Sequence, residues 1–332
     1  MSRGPWARWV GLLSAREAPE SLALLRVLLG LCMLHAIGSV AFSGTWALVW
    51  VDASDGGYKE MGELPWLVAA LGGASRAVIG GLIAAGLTAA ISLTVGLFSR
   101  LSAFALLQIF MALGDTNPHT GGSYDVLISN ALWLLVLADS GATGSVDARI
   151  RARWRPSPPP ITVPAWPRYL VIGQLLTMYA STGLQKVSAS WVPGGDLSAL
   201  YYILQQPTWQ RIDMRWAAPL FPLTQLATLG TWLFEVGAPS LLLVLWMRRT
   251  RARPGRLRAL SNRLRLRDLF IVVGLAMHAG IAILMEVGPF SFVSMALYAA
   301  LLHPDEARPL FDRLLRPFGR APRGKTAQTG QD

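Results

Sequence analysis

Apolar residues gather into long runs separated by short polar or arginine-rich stretches. Runs long enough to cross a bilayer as helices predict an all-α, polytopic integral membrane bundle of about eight transmembrane helices. The expected spans are at about 21–42, 74–98, 101–113, 124–139, 169–190, 221–247, 268–285 and 290–303. Ahead of them, residues 1–20 carry Arg3, Arg8 and Arg16 with Trp6 and Trp9 at the spacing of an amphipathic helix lying on the inner face. Behind them, residues 304–332 form a basic tail. The apolar region 66–98 is broken by Gly72, Gly73 and Arg76, so a short interfacial helix is expected before the second span. Residues 197–216, with Tyr201, Tyr202, Trp209 and Trp216, read as an aromatic amphipathic segment on the outer interface or over a cavity.

Charge orients this pattern. The formal charge is +11, and the arginines concentrate at 149–155, at 248–267 (nine of them) and in the tail. The segment 43–65 is acidic apart from Lys59, and 114–122 has no lysine or arginine. Eight spans with both termini cytoplasmic put all three basic blocks on one side. Aromatics are sparse in those blocks, Trp154 in the first, none in 248–267, and Phe311 and Phe318 in the tail, which argues against a nucleic-acid partner and leaves the lipid bilayer as the expected one. The composition, rich in arginine, alanine and glycine with three lysines, suggests a GC-rich bacterial source and therefore the plasma (inner) membrane. The lone Cys32 excludes an intramolecular disulfide and a Cys-x-x-Cys redox pair. The first apolar run has spanning length, unlike the short core of a removed signal peptide.

Candidate chemistry centres on Lys186, near the far end of the apolar stretch 169–195. Tyr179, Thr182, Lys186 and Ser190 follow one another by three, four and four residues, which places them on one helical face. An ammonium facing lipid costs about 2.5 to 3.5 kcal/mol on insertion scales, so that face is expected to look inward. Entering at about Arg168, the helix reaches Lys186 after roughly 27 Å, near the outer boundary and level with the loop 117–122. Glu235 and His278 lie deeper. The expected site is an outward-facing polar pocket around Lys186, with His119 above it and Tyr179, Thr182, Trp191, Glu235, His278, Asn117 and Tyr124 lining it.

Structural roles stand beside these. Lys186 also fits a lysine snorkelling to the boundary, as does Arg26 at the inner end. Glu235 fits a pair with Arg26 or His278, His278 a satisfied bundle histidine, and His119 a cap or turn. Four scattered histidines, none paired at three or four residues, argue against a metal site. The Gly-Gly pairs follow no strand, so they are no phosphate loop.

Gly173-Gln174, Tyr179, Gly183-Leu184-Gln185-Lys186, Trp191 and Gly194 resemble the core motif of the HTTM (horizontally transferred transmembrane domain) family, which includes the vitamin K-dependent gamma-glutamyl carboxylases. Further stretches agree in order: 96–102, Gly122-Ser123-Tyr124, Ser145-Val146-Asp147, Trp232-Leu233-Phe234-Glu235, and His278 followed by Gly288-Pro289-Phe290. The resemblance covers residues 21–303. It implies that Lys186 is a general base that deprotonates a reduced quinone (vitamin K or menaquinone-like), so that oxygen adds and a strong base forms. In the carboxylases that base takes the gamma proton of a peptide glutamate, and the carbanion captures carbon dioxide. The chain departs from the pattern at Gly122, where the carboxylases have a histidine, and at Gln185, where they have a second lysine. It offers no counterpart of the large lumenal substrate domain, so carboxylation of a protein is not expected. The alternative role is non-catalytic: a membrane factor for the maturation, export or immunity of a small secreted peptide.

Overall fold

The computed structural model describes residues 4–154 and 161–315; Arg3, Arg155, the prolines at 156–160 and the basic residues of 316–332 lie outside them. In chain order the helices are α1 (Pro5–Leu13), α2 (Glu20–Ser43), α3 (Trp46–Trp50), α4 (Trp66–Ala70), α5 (Arg76–Val95), α6 (Ser99–Thr116), α7 (Tyr124–Leu137), α8 (Val146–Trp154) and α9 (Trp166–Gln185). They continue with α10 (Ala199–Gln205), α11 (Phe221–Gly237), α12 (Leu241–Arg249), α13 (Arg256–Arg263), α14 (Leu266–Leu284), α15 (Phe290–Leu297) and α16 (Pro304–Leu315). The chain divides into two compact units, residues 1–171 with 302–332, and residues 172–301.

Among the described residues, four helical stretches are long and apolar enough to cross a membrane: Glu20–Ser43, Arg76–Val95, Arg215–Arg249 and Leu266–Leu284. Tyr124–Leu137 and Phe290–Leu301 are apolar but shorter. Helices α6 and α9 have the length, yet polar residues dilute their apolar character. In α9 these are Gln174, Thr177, Ser181, Thr182 and Gln185. The architecture is thus a mostly helical membrane protein with four such stretches where the sequence pattern suggested about eight.

In the first unit α5 packs between α2 and α6, α7 packs on α6 and returns to α2, and α16 lies along α2. Leu22, Leu25, Leu29 and Met33 of α2, Ile79 and Leu93 of α5, Leu106 and Leu107 of α6, and Ile128 and Leu132 of α7 are the fully buried side chains of these packed helices. Between α1 and α2, Arg16–Glu17 pairs antiparallel with Val163–Pro164, the only strands among the described residues. Arg168 grips Glu17 there through two parallel hydrogen bonds of 2.7 Å, the strong fork geometry of a guanidinium on a carboxylate.

Arg26 does not snorkel, because the loop after α7 folds over it and seals it from solvent. It is fully buried, donating from Nη1 to the Ser140 carbonyl at 2.8 Å and from Nη2 to that of Gly144 at 2.7 Å. Beside it, Asp147 accepts the backbone N–H groups of Phe98 (2.8 Å) and Ser99 (2.9 Å) and the Ser99 hydroxyl, capping the start of α6. Gly96 turns the chain with a φ of +72°, and any Cβ there would strike Arg26 and Ser145. The stretches 96–102 and 145–147 therefore meet in one joint.

Candidate functional site

Lys186 falls just past the end of α9, which the sequence pattern had continued to about residue 190. The helix stops at Gln185 and the chain folds back through short turns, Val187 N–H to the Gln185 carbonyl and Trp191 N–H to the Ser188 carbonyl. A cation there sits at the helix C-terminus, where positive charge is favoured. Its Nζ is 2.5 Å from Glu235 Oε2 and 4.3 Å from the centre of the Trp191 ring. The Lys186 side chain is 22% exposed and that of Glu235 9%.

Gly183 explains how Glu235 gets there. A Cβ on residue 183 would lie 2.8 Å from the Val236 nitrogen and 2.9 Å from the Glu235 Cβ, so glycine lets the backbone of α11 touch α9. The lysine and carboxylate, 49 residues apart in sequence, meet because of that contact.

A second polar cluster lies in the same unit. The Tyr179 hydroxyl is 2.6 Å from His278 Nε2 and 2.7 Å from the Tyr298 hydroxyl, so α9, α14 and the helical turn after α15 are joined at one oxygen. Aromatic rings wall it in: Phe234 stands edge-on to Tyr179 at 5.1 Å and stacks on Phe270 at 4.5 Å, and Phe290 meets His278 at 5.5 Å. His278 Nδ1 is buried without a hydrogen-bond partner among the described residues. Phe234 and Glu235 are consecutive, so α11 serves both clusters. Tyr298 went unnoticed in the sequence; a tyrosine inside an apolar run, whose hydroxyl needs a partner once buried, was the available signal.

The other expected residues are placed differently. Thr182 is exposed and turns its hydroxyl back onto the Met178 and Tyr179 carbonyls at 3.0 Å, as helical threonines do, and Ser190 bonds to Ser188. The face expected to unite Tyr179, Thr182, Lys186 and Ser190 is therefore split between two clusters. Asn117, His119 and Tyr124 belong to the first unit, where they build a turn. Asn117 accepts from the His119 N–H at 3.2 Å and donates to the Val49 carbonyl at 2.7 Å, and Tyr124 donates to the Thr120 carbonyl at 3.2 Å. The His119 imidazole is exposed. Glu235 pairs with Lys186, not with Arg26 or His278 as the sequence had suggested, since α11 approaches α9 at Gly183.

A shallow polar depression of about 430 Å³ lies at residues 205–215. Its arginines are neutralised locally, Arg211 by Glu286 at 3.0 Å and Arg215 by Asp213 at 2.6 Å, so it offers no uncommitted charge to a ligand.

Among known proteins, a family model described as the HTTM domain matches residues 15–252, about seven-tenths of the chain. No curated protein and no solved structure matches it.

Proposed function

From the premise that the chain belongs to the HTTM family, we propose that Lys186 and Glu235 form the proton-handling centre of a membrane enzyme of carboxylase-like mechanism, acting on a reduced quinone or similar lipid-soluble acid. The observation that carries this reading is the 2.5 Å contact between Nζ and Oε2 in largely buried surroundings. A lysine is a base only as the free amine, and releasing its proton to water would strand the carboxylate as an unpaired buried charge. Glu235 supplies another route. The proton passes from Nζ to Oε2, and the ion pair becomes a neutral amine beside a neutral acid. The amine can then accept a proton from an acidic hydroxyl, and the ammonium so formed holds negative charge beside it.

The residues suit a planar, hydroxyl-bearing ring. Nζ takes the proton, the Trp191 face stabilises the ammonium by cation–π attraction, and the Lys186 side chain keeps a partly exposed edge from which a proton donor can approach. A reduced quinone, when bound, would supply the oxygen-reactive ring. Tyr179, His278 and Tyr298 hold α9 against α14 and so fix the direction from which Lys186 leaves its helix. His119 remains a candidate second proton acceptor on the loop 117–122. The arginine blocks support a bacterial plasma-membrane location with both termini cytoplasmic.

The test is Lys186→Arg in nanodiscs supplied with a reduced menaquinone. A guanidinium keeps the pair with Glu235 but stays protonated. Wild type is expected to take up oxygen above the uncatalysed rate and the variant to lose about a hundredfold, the usual scale for removing a general base. Equal rates would refute the base. They would favour the non-catalytic peptide factor, to which a lysine already satisfied by Glu235 and Trp191 is also suited.

A further inference from the structure

Nine arginines lie over residues 248–267, six of them in the segment joining α12 to α14, and α13 folds within that segment. The hairpin of α12 and α13 is held by its own contacts. Arg258 lies over Trp246 at 4.9 Å and donates to the Thr250 hydroxyl at 3.0 Å and the Pro254 carbonyl at 2.6 Å. Asn262 reaches the Met247 carbonyl at 3.3 Å. With the hairpin closed in this way, one stripe of α13 and its C-cap is left bare: Leu257, Leu260 and Leu264, spaced by three and four residues, are 71%, 51% and 55% exposed.

Several of the charges around this stripe are exposed as well. Arg265 and Arg267 hold Asp268, but Arg253, Arg256 and Arg263 are exposed and have no acidic partner among the described residues. An apolar stripe flanked by exposed guanidinium groups is the pattern of a helix lying in a bilayer interface. The connections are short: α12 ends at Arg249 and α14 begins at Leu266, each within a stretch apolar enough to cross a membrane. The hairpin is thereby tethered at a bilayer surface. Guanidinium groups bind phosphate oxygens through paired donors, and a basic amphipathic segment next to a span attracts anionic lipid.

We propose that α13 is a docking surface for anionic phospholipid, with Leu257, Leu260 and Leu264 entering the acyl boundary while Arg253, Arg256 and Arg263 take headgroup phosphates. This goes beyond a topology signal, because it assigns the segment a ligand and a depth. It does not depend on the chemistry at Lys186.

The test uses the full chain in nanodiscs, with a spin label at Leu260→Cys in a Cys32→Ser background. In phosphatidylcholine mixed with phosphatidylglycerol the label is expected to become accessible to oxygen and shielded from a water-soluble nickel chelate. In pure phosphatidylcholine it stays nearer water. Replacing Arg253, Arg256 and Arg263 together by glutamine spares Arg258 and the hairpin. It is expected to weaken retention of phosphatidylglycerol, followed by native mass spectrometry, at least tenfold. Equal water accessibility of the label in both membranes, or retention unchanged by the triple substitution, overturns the proposal. Spin–spin broadening that persists in pure phosphatidylcholine also overturns it, by identifying a second copy of the chain as the occupant.

Discussion

Replacing Arg26 by methionine is expected to cost the protein about 3 to 5 kcal/mol, the range for removing one partner of a buried charged contact. Methionine fills a similar volume but donates nothing. The carbonyls of Ser140 and Gly144, now receiving bonds of 2.8 and 2.7 Å, would lose their donor, the first in buried and the second in partly buried surroundings. The damage should spread to Asp147 and the start of α6, because the same loop carries the carboxylate that caps Phe98 and Ser99. Lysine at position 26 keeps the charge but cannot span two carbonyls with a rigid fork, so its loss should be intermediate. Unfolding in mixed micelles with increasing dodecyl sulfate reads both effects. A methionine variant within about 0.5 kcal/mol of wild type, the range of an ordinary surface change, would show that the joint does not hold the unit together.

The second large effect concerns the pair itself. Lys186→Met leaves Glu235 as a buried carboxylate without its cation, and Glu235→Met leaves an ammonium against Trp191 with no anion. Each single change is expected to cost about 3 kcal/mol, toward the lower end for breaking a buried pair because Lys186 keeps some contact with solvent. The double variant is expected to lie within about 1 kcal/mol of wild type, since a desolvated pair replaced by apolar side chains is often neutral. The same micelle titration gives the cycle. Additive losses, with the double variant as weak as the two singles combined, would mean that the residues do not act as a pair.

These residues also show what could be read before the structure was known. A lysine in an apolar run is conspicuous, and Lys186 was recognisable from hydropathy and motif alone. Glu235 was placed in the same pocket, but its direct pairing with Lys186 was not readable, because the approach of α11 depends on a missing Cβ at Gly183, and no periodicity encodes a contact over 49 residues. The end of α9 was placed about one turn late: the breakers Pro193 to Gly195 are plain in the sequence, but the turns at 186–191 come first. Thr182 fits the inward face by spacing, yet its hydroxyl satisfies itself on its own helix. Arg26 looked like a boundary residue because nothing in its neighbourhood reveals that residues 140–144 fold over it. The long runs of α2 and α5 were legible because length and hydropathy alone decide them; α6 and α9 mix in polar residues that only packing explains.

The central claim is that the Lys186–Glu235 centre receives a quinol-like, lipid-soluble acid. The most direct measurement is solvent extraction and mass spectrometry of the protein purified in mild detergent, beside the Lys186→Met/Glu235→Met double variant, which the cycle expects to remain folded. The account expects a menaquinone or ubiquinone in a reproducible ratio to wild-type protein and its loss from the double variant. A wild-type protein free of quinone, or a double variant that carries as much, would contradict it.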